Sequence, residues 1–259
     1  MREADANRIR SLQLFASMQS ERFGALTRGA LLQTFPANGN LIYEADNVDY
    51  LYILLDGSVE LQGRWHDKES TLAVLRPVST FILAAVVLDA PALMSARTLE
   101  KSQVAMLPAE HFRAAMREDA AFAVAVAQEL SGCYRGLVRT IKNHKLRSGN
   151  ERLANYLLTQ QIRQGGDTTI ELPHEKRILA SLLDLTPESL SRAFASLAKY
   201  DVEVTGSRVS IGNPAGLRRL ARPNALIDNH ALPKGVAQGK ADKELWPLRN
   251  DRGCGAEVE

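Results

Sequence analysis

Three side chains near position 190 have the types and the spacing to read base-pair edges: Glu188, Ser191 and Arg192, at i, i+3 and i+4. On an α-helix these positions share one face. A carboxylate accepts the amino hydrogen of cytosine, a guanidinium forks onto the two acceptors of guanine, and a hydroxyl bonds or packs against either. Thr186-Pro187 announces that helix: a threonine able to cap, then a proline suited to the first helical position. A plainer reading exists, because the helix dipole favours a first-turn glutamate anywhere and a Ser-Arg pair can face solvent. The flanking elements decide between the two.

Upstream, residues 174–183 carry apolar side chains at Ile178, Leu179, Leu182 and Leu183, the stripe of a short amphipathic helix, and Asp184-Leu185 separates it from the Thr186 start. This predicts two helices joined by a tight turn. The second helix buries Leu190, Phe194 and Leu197. Beyond it Val202, Val204, Val209 and Ile211 alternate around Gly206-Ser207, a two-stranded wing. Residues 168–172 read as a strand ending at Pro173, and residues 150–162 as a helix with Leu153, Tyr156, Leu157 and Ile162 inside. The sum is a winged helix-turn-helix.

The run Leu179-Ala180-Ser181-Leu182-Leu183-Asp184-Leu185-Thr186-Pro187-Glu188-Ser189-Leu190-Ser191-Arg192 resembles the helix-turn-helix signature of the Crp/Fnr superfamily of bacterial transcription regulators. Its Glu-x-x-Ser-Arg triplet is more similar to the Fnr branch than to the cyclic-AMP receptor branch. The resemblance implies a half-site similar to TTGA, with Glu188 on a cytosine, Arg192 on a guanine and Ser191 near a thymine. It also implies Thr186 and Ser189 on the DNA backbone, a homodimer on double-stranded DNA, and RNA polymerase as a protein partner. Where the family's turn holds glycine this chain has Asp184, one of the few residues that enter the left-handed region at modest cost.

Charge supports this by region rather than in total. The net charge is only +2, yet residues 135–222 hold fifteen Lys or Arg against eight Asp or Glu. Neutralising phosphates supplies much of the affinity of DNA-binding modules, and Lys176, Arg177, Lys199 and Arg208 are the candidate phosphate contacts. With 259 residues and 45% apolar content, the chain can bury more than one core. Its two cysteines, Cys133 and Cys254, are too few for a zinc site, an iron–sulfur cluster or a disulfide framework. No stretch reaches membrane-span length and no export signal is visible, so a cytoplasmic protein without membrane association is expected. No phosphate-cradling glycine loop, metal-spaced cluster or nucleophile with a base appears, and no enzyme is predicted.

Strand grammar fills the first hundred residues. Leu51, Ile53 and Leu55, then Val59 and Leu61, alternate across the Asp56-Gly57 turn; Gly39-Asn40 and Gly63 punctuate neighbouring runs, and residues 72–75 and 103–107 add strands. The pattern predicts a barrel or jelly roll. The order of these segments resembles the cyclic-nucleotide-binding β-roll of the same superfamily. The expected fold class is therefore α+β: an N-terminal β-roll of jelly-roll type, a long dimerisation helix and a C-terminal winged helix-turn-helix.

The ligand pocket departs from the family. Cyclic-AMP receptors follow Phe-Ile with Gly-Glu-Leu and place an Arg-Ser pair ten residues after that glutamate; here Phe81-Ile82 is followed by Leu83-Ala84-Ala85, and the pair reads Met94-Ser95. A phosphate without a cation among Leu83, Ala84, Val86, Val87 and Met94 would lose its hydration with little return, which speaks against cyclic AMP. Phe81, Leu83, Ala84, Val86, Met94 and Ser95 are the candidate lining for some other small-molecule effector, or they simply fill the roll. Haem, with His66, His111 or Met94 as axial ligands, stays an open alternative.

Residues 119–147 read as one long helix. Ala127, Leu130, Tyr134, Leu137, Ile141 and His144 follow the three-and-four spacing of a seam, with Gln128, Arg135, Arg139 and Lys142 outside it. The expected division is a roll over 1–118, a dimerisation helix over 119–147, a DNA-binding domain over 148–221 and a flexible tail over 222–259. The competing function is an allosteric ligand-binding module that does not touch DNA, but such a module would keep the phosphate arginine and lack the winged domain.

Overall fold

The computed structural model describes residues 3–228. Three short helices, α1 (Glu3–Arg10), α2 (Gln13–Ala16) and α3 (Ser20–Arg28), lead into the strands β1 (Leu31–Phe35), β2 (Asn40–Ile42), β3 (Tyr50–Asp56), β4 (Val59–Trp65), β5 (Lys68–Leu75) and β6 (Ser79–Phe81). A short helix α4 (Leu83–Leu88) interrupts them before β7 (Ser95–Thr98) and β8 (Ser102–Pro108). Two antiparallel four-stranded sheets result, ordered β1-β8-β3-β6 and β2-β7-β4-β5. The Asp56-Gly57 turn joins β3 to β4: Gly57 has φ 86°, and a Cβ there would stand 2.7 Å from the Lys101 carbonyl oxygen. Only glycine fits.

Helices α5 (Ala109–Glu118) and α6 (Ala120–Leu146) close the roll. Phe122 stacks on Phe15 at 5.9 Å and meets Phe112 edge-on at 5.1 Å, which ties α2, α5 and α6 into one core. Asp119 caps α6 by accepting from the Phe122 N–H. From there the helix runs for 27 residues, as one element. Its first two turns are buried at Phe122 and Val126 and Leu130 packs against the roll core, whereas Tyr134, Leu137, Val138 and Ile141 are exposed.

A second core follows. Helix α7 (Gly149–Arg163) opens on a capping box between Ser148 and Glu151, and is followed by β9 (Thr169–Glu171), α8 (Lys176–Leu182), α9 (Pro187–Leu197), β10 (Val202–Thr205), β11 (Arg208–Ile211), α10 (Pro214–Ala221) and α11 (Ala225–Asp228). Leu153, Leu157, Leu179, Leu183, Leu190, Leu197, Val209, Ile211 and Leu217 fill it, and β10-β11-β9 form the wing sheet. The wing is longer by one strand than a bare hairpin because β9 pairs with β11.

The structure adds to the sequence reading at two places. The apolar run 81–93 contains α4, which turns Leu83 and Val86 into the roll core while leaving Ala84 exposed. The tail expected from residue 222 begins with structure: α11 packs on α6, and Asp228 pairs with Arg147 at 2.6 Å. Trp246 and Cys254 lie outside the described residues. Among those described, no helix is long and apolar enough to cross a membrane, and no group of three or more His, Cys, Asp or Glu is arranged to hold a metal ion.

Candidate nucleic-acid interface

Helix α9 is held by local chemistry at its start and by burial along its back. Thr186 caps it, its hydroxyl accepting from the Ser189 N–H at 3.2 Å, and Pro187 takes the first helical position. Leu190, Ala193 and Leu197 face the core, so Glu188, Ser191 and Arg192 stand together on the opposite, exposed face. Ahead of the cap, Asp184 adopts φ 52°. The left-handed turn between α8 and α9 therefore forms with aspartate in place of glycine.

The three polar groups are poised but internally satisfied. Arg192 Nη2 donates to Ser189 Oγ at 3.1 Å, and the Ser191 hydroxyl donates back to the Pro187 carbonyl at 3.0 Å. The Glu188 carboxyl is held below its ordinary range, first by its own backbone N–H at the helix start and then by the Thr186 hydroxyl. It is an ionised acceptor at neutral pH, the state needed to take a cytosine amino hydrogen. Lys176 and Arg177 are exposed at the start of α8, Arg208 is exposed on β11, and exposed Lys199 lies over the Tyr200 ring at 5.2 Å.

The candidate effector residues scatter between core and surface. Phe81 is buried and stacks on Tyr52 at 5.2 Å. Met94 packs half-buried against the roll core, and the Ser95 hydroxyl accepts from the Glu44 N–H at 2.9 Å. His66 is exposed in the turn between β4 and β5, and His111 is exposed on α5 beside Gly29.

Two polar features escaped the sequence reading. Glu60 on β4 is fully buried, accepting from Arg97 Nη2 at 2.8 Å and from the Thr71 hydroxyl. Val59, Leu61 and Ala96 belong to the roll core, so the alternation of strands places Glu60 and Arg97 on the outer face of their sheet. Burial pushes the Glu60 carboxyl up; the Thr71 and Arg97 hydrogen bonds and the Arg97 charge outweigh it and hold the group below its ordinary range. Nearby, the free edge of β5 meets the C-terminal half: the Thr71 N–H donates to Ser181 Oγ at 2.6 Å, the Ser70 and Ser181 hydroxyls lie 3.1 Å apart, and Arg76 donates to the Pro173 carbonyl at 3.3 Å. Covering the outer strand this way removes an open sheet edge. A serine in α8 and a charge inside a strand were the signals, but both look like ordinary surface residues in sequence.

Known proteins share the two-domain layout. A cyclic nucleotide-binding domain model matches residues 32–119 and a Crp-like helix-turn-helix domain model matches residues 151–220. No curated protein matches the sequence. Among solved structures, a regulatory protein of Silicibacter pomeroyi DSS-3 described as cAMP-binding is 25% identical, with TM-score 0.56, over 86% of this chain and all of that one. FixK2 of Bradyrhizobium japonicum is 20% identical with TM-score 0.63 over 74% of this chain and 96% of its own. A CooA mutant of Carboxydothermus hydrogenoformans is 18% identical with TM-score 0.64 over 76% and 90%. The latter two show the fold. The two domain models together span more than half of the sequence in the order roll, then reader, and the chain belongs to the Crp/Fnr family of DNA-binding transcription regulators.

Proposed function

We propose that this protein is a homodimeric, cytoplasmic transcription regulator that reads a near-palindromic site with TTGA-like half-sites and answers to a small effector other than cyclic AMP. The observation that carries the reading is the exposed trio Glu188, Ser191 and Arg192, on one face of a helix whose other face is core. Lys176, Arg177, Lys199, Arg208, Thr186 and Ser189 surround it as backbone contacts. The functional division is a roll to residue 118, the dimer helix to 147 and the reader to 221, with RNA polymerase as the protein partner at the promoter.

Dimerisation follows from the same geometry. Two recognition helices must enter major grooves about 34 Å apart, and exposed Tyr134, Leu137 and Ile141 continue the apolar stripe of α6 past the point where Leu130 leaves the roll. An effector bound in the roll would bias how the two copies of α6 pack and so set that separation. Against cyclic AMP stands the chemistry of the expected pocket: Leu83 and Val86 are core residues, Ala84 offers no charge, and Arg97 is engaged with Glu60 on the outer face.

Selection of binding sequences from a random duplex pool, followed by titration of the recovered site at fixed salt, tests the proposal. Recovery of paired TTGA-like half-sites is expected. Recovery of no sequence preference above bulk DNA would refute it.

A further inference from the structure

Arg152, on the first turn of α7, stands at the joint between the long helix and the DNA reader. Its side chain is buried, 8% exposed. Nη1 donates to the His144 carbonyl at 3.1 Å and to the Arg147 carbonyl at 2.8 Å, at the end of α6. Nε donates to the Leu183 carbonyl at 2.7 Å and Nη2 to the Asp184 carbonyl at 3.0 Å, at the end of α8. One planar cation thus satisfies the last carbonyls of two helices at once, where the helix dipoles are negative.

The joint around it is close-packed. His144 Nε2 lies 3.4 Å from the Leu182 carbonyl, and a Cβ on Gly149 would stand 2.8 Å from a Leu185 methyl. The two residues Arg152 holds on the reader side, Leu183 and Asp184, form the turn that launches α9. We infer that Arg152 is a positioning residue: its rigid fork sets the angle between the dimer helix and the recognition helix, and so fixes the half-site spacing that a dimer accepts. Lysine keeps the charge but offers three donors on a flexible stem in place of the five-donor plane. It cannot hold four carbonyls in one fixed arrangement.

This inference rests on the proposed reading of two half-sites by a dimer. The test uses the full chain and its Arg152→Lys variant on duplexes carrying one half-site, or two half-sites with the spacer changed by −1, 0, +1 and +2 base pairs. The wild type is expected to prefer one spacer at least tenfold. The variant is expected to bind the single half-site as the wild type does, lose about tenfold on the preferred full site, and accept neighbouring spacers within about threefold. An independent measurement needs no DNA: electron spin labels at Lys145→Cys and Ala198→Cys, with Cys133 and Cys254 changed to serine, should give a narrow distance distribution that broadens in the lysine variant. A variant that keeps the sharp spacer profile and narrow distances overturns the inference. So does one that loses half-site binding in equal measure, or one that loses its cooperative melt, because the residue then supports the fold rather than its aim. A wild type indifferent to spacer refutes the dimeric reading itself, and the spin-label distances then decide on Arg152 alone.

Discussion

Replacing Arg192 by alanine removes a guanidinium that stands in solvent, so the fold should hold while base reading suffers. Exposed substitutions of this kind stay within about 0.5 kcal/mol of wild-type stability. A bidentate arginine–guanine pair is worth about 1–3 kcal/mol. To make it, Arg192 must leave the Ser189 hydroxyl, which it contacts at 3.1 Å, and that hydrogen bond returns about 0.5–1.5 kcal/mol at most. A net loss of about 0.5–1.5 kcal/mol per half-site, doubled in the proposed dimer, amounts to roughly 5- to 140-fold in affinity at about 1.4 kcal/mol per decade. Fluorescence anisotropy titrations on the selected site and on duplexes altered at each position should show the preference lost at one guanine and kept elsewhere. The salt dependence separates this from a phosphate contact, whose removal would lower the slope of log affinity against log salt by about 0.9 per subunit. An unchanged base preference, or a flattened salt slope with all sequences weakened alike, would refute the assignment.

Lys176→Ala should do what Arg192→Ala does not: weaken every sequence by a similar factor and reduce the salt slope by about 0.9 per subunit, read in the same titrations. Leu137→Glu should convert the proposed dimer to monomer in sedimentation velocity at micromolar concentration, because it would place like charges opposite one another in the proposed α6 seam. Glu60→Gln should lower unfolding free energy near neutral pH by about 1–3 kcal/mol, since it breaks a buried pair whose arginine keeps some solvent access. Because folding depresses the Glu60 pKa, its contribution is complete above the ordinary carboxylate value of about 4.3 and fades as pH falls toward the folded value. Melting curves of wild type and variant should therefore converge in acid, and parallel curves down to pH 3 would sink the sign argument.

What was legible in the sequence was what local chemistry dictates. Thr186-Pro187 starts α9, Asp184 takes the left-handed turn, Asp56-Gly57 closes a hairpin, and the apolar periods of α7, α8 and β10–β11 need no distant partner to be recognised. What was not legible depends on partners far along the chain. Arg152 looks like a helix-surface cation because its acceptors are backbone carbonyls, two of them more than thirty residues away. Glu60 sits in a strand as if it were a solvent-facing residue, and only its neighbours Thr71 and Arg97 explain its burial. The run 81–93 could not be divided between cavity lining and core filling, since both are apolar; α4 sends Leu83 and Val86 inward. The order of α11 comes from Asp228 meeting Arg147, a contact across 81 residues.

The proposed seam on α6 gives a reason for tying the reader firmly to that helix. Tyr134, Leu137, Val138 and Ile141 are 38–68% exposed in the single chain. Covering each would contribute about 1–2 kcal/mol, so the eight in a pair supply roughly 8–16 kcal/mol. Association itself costs about 4–15 kcal/mol. These ranges overlap, which would put the proposed dimer within reach of one buried charge and let its geometry respond to small shifts where Leu130 and Val126 rest on the roll. A shift there reaches DNA only if the far end of α6 is rigidly joined to α9. A flexible joint would let each reader find its half-site whatever the helices did, and effector occupancy would then change nothing at the operator. The four carbonyls gathered by Arg152, with Arg147 held by Asp228 beside them, supply that stiffness where the two cores meet.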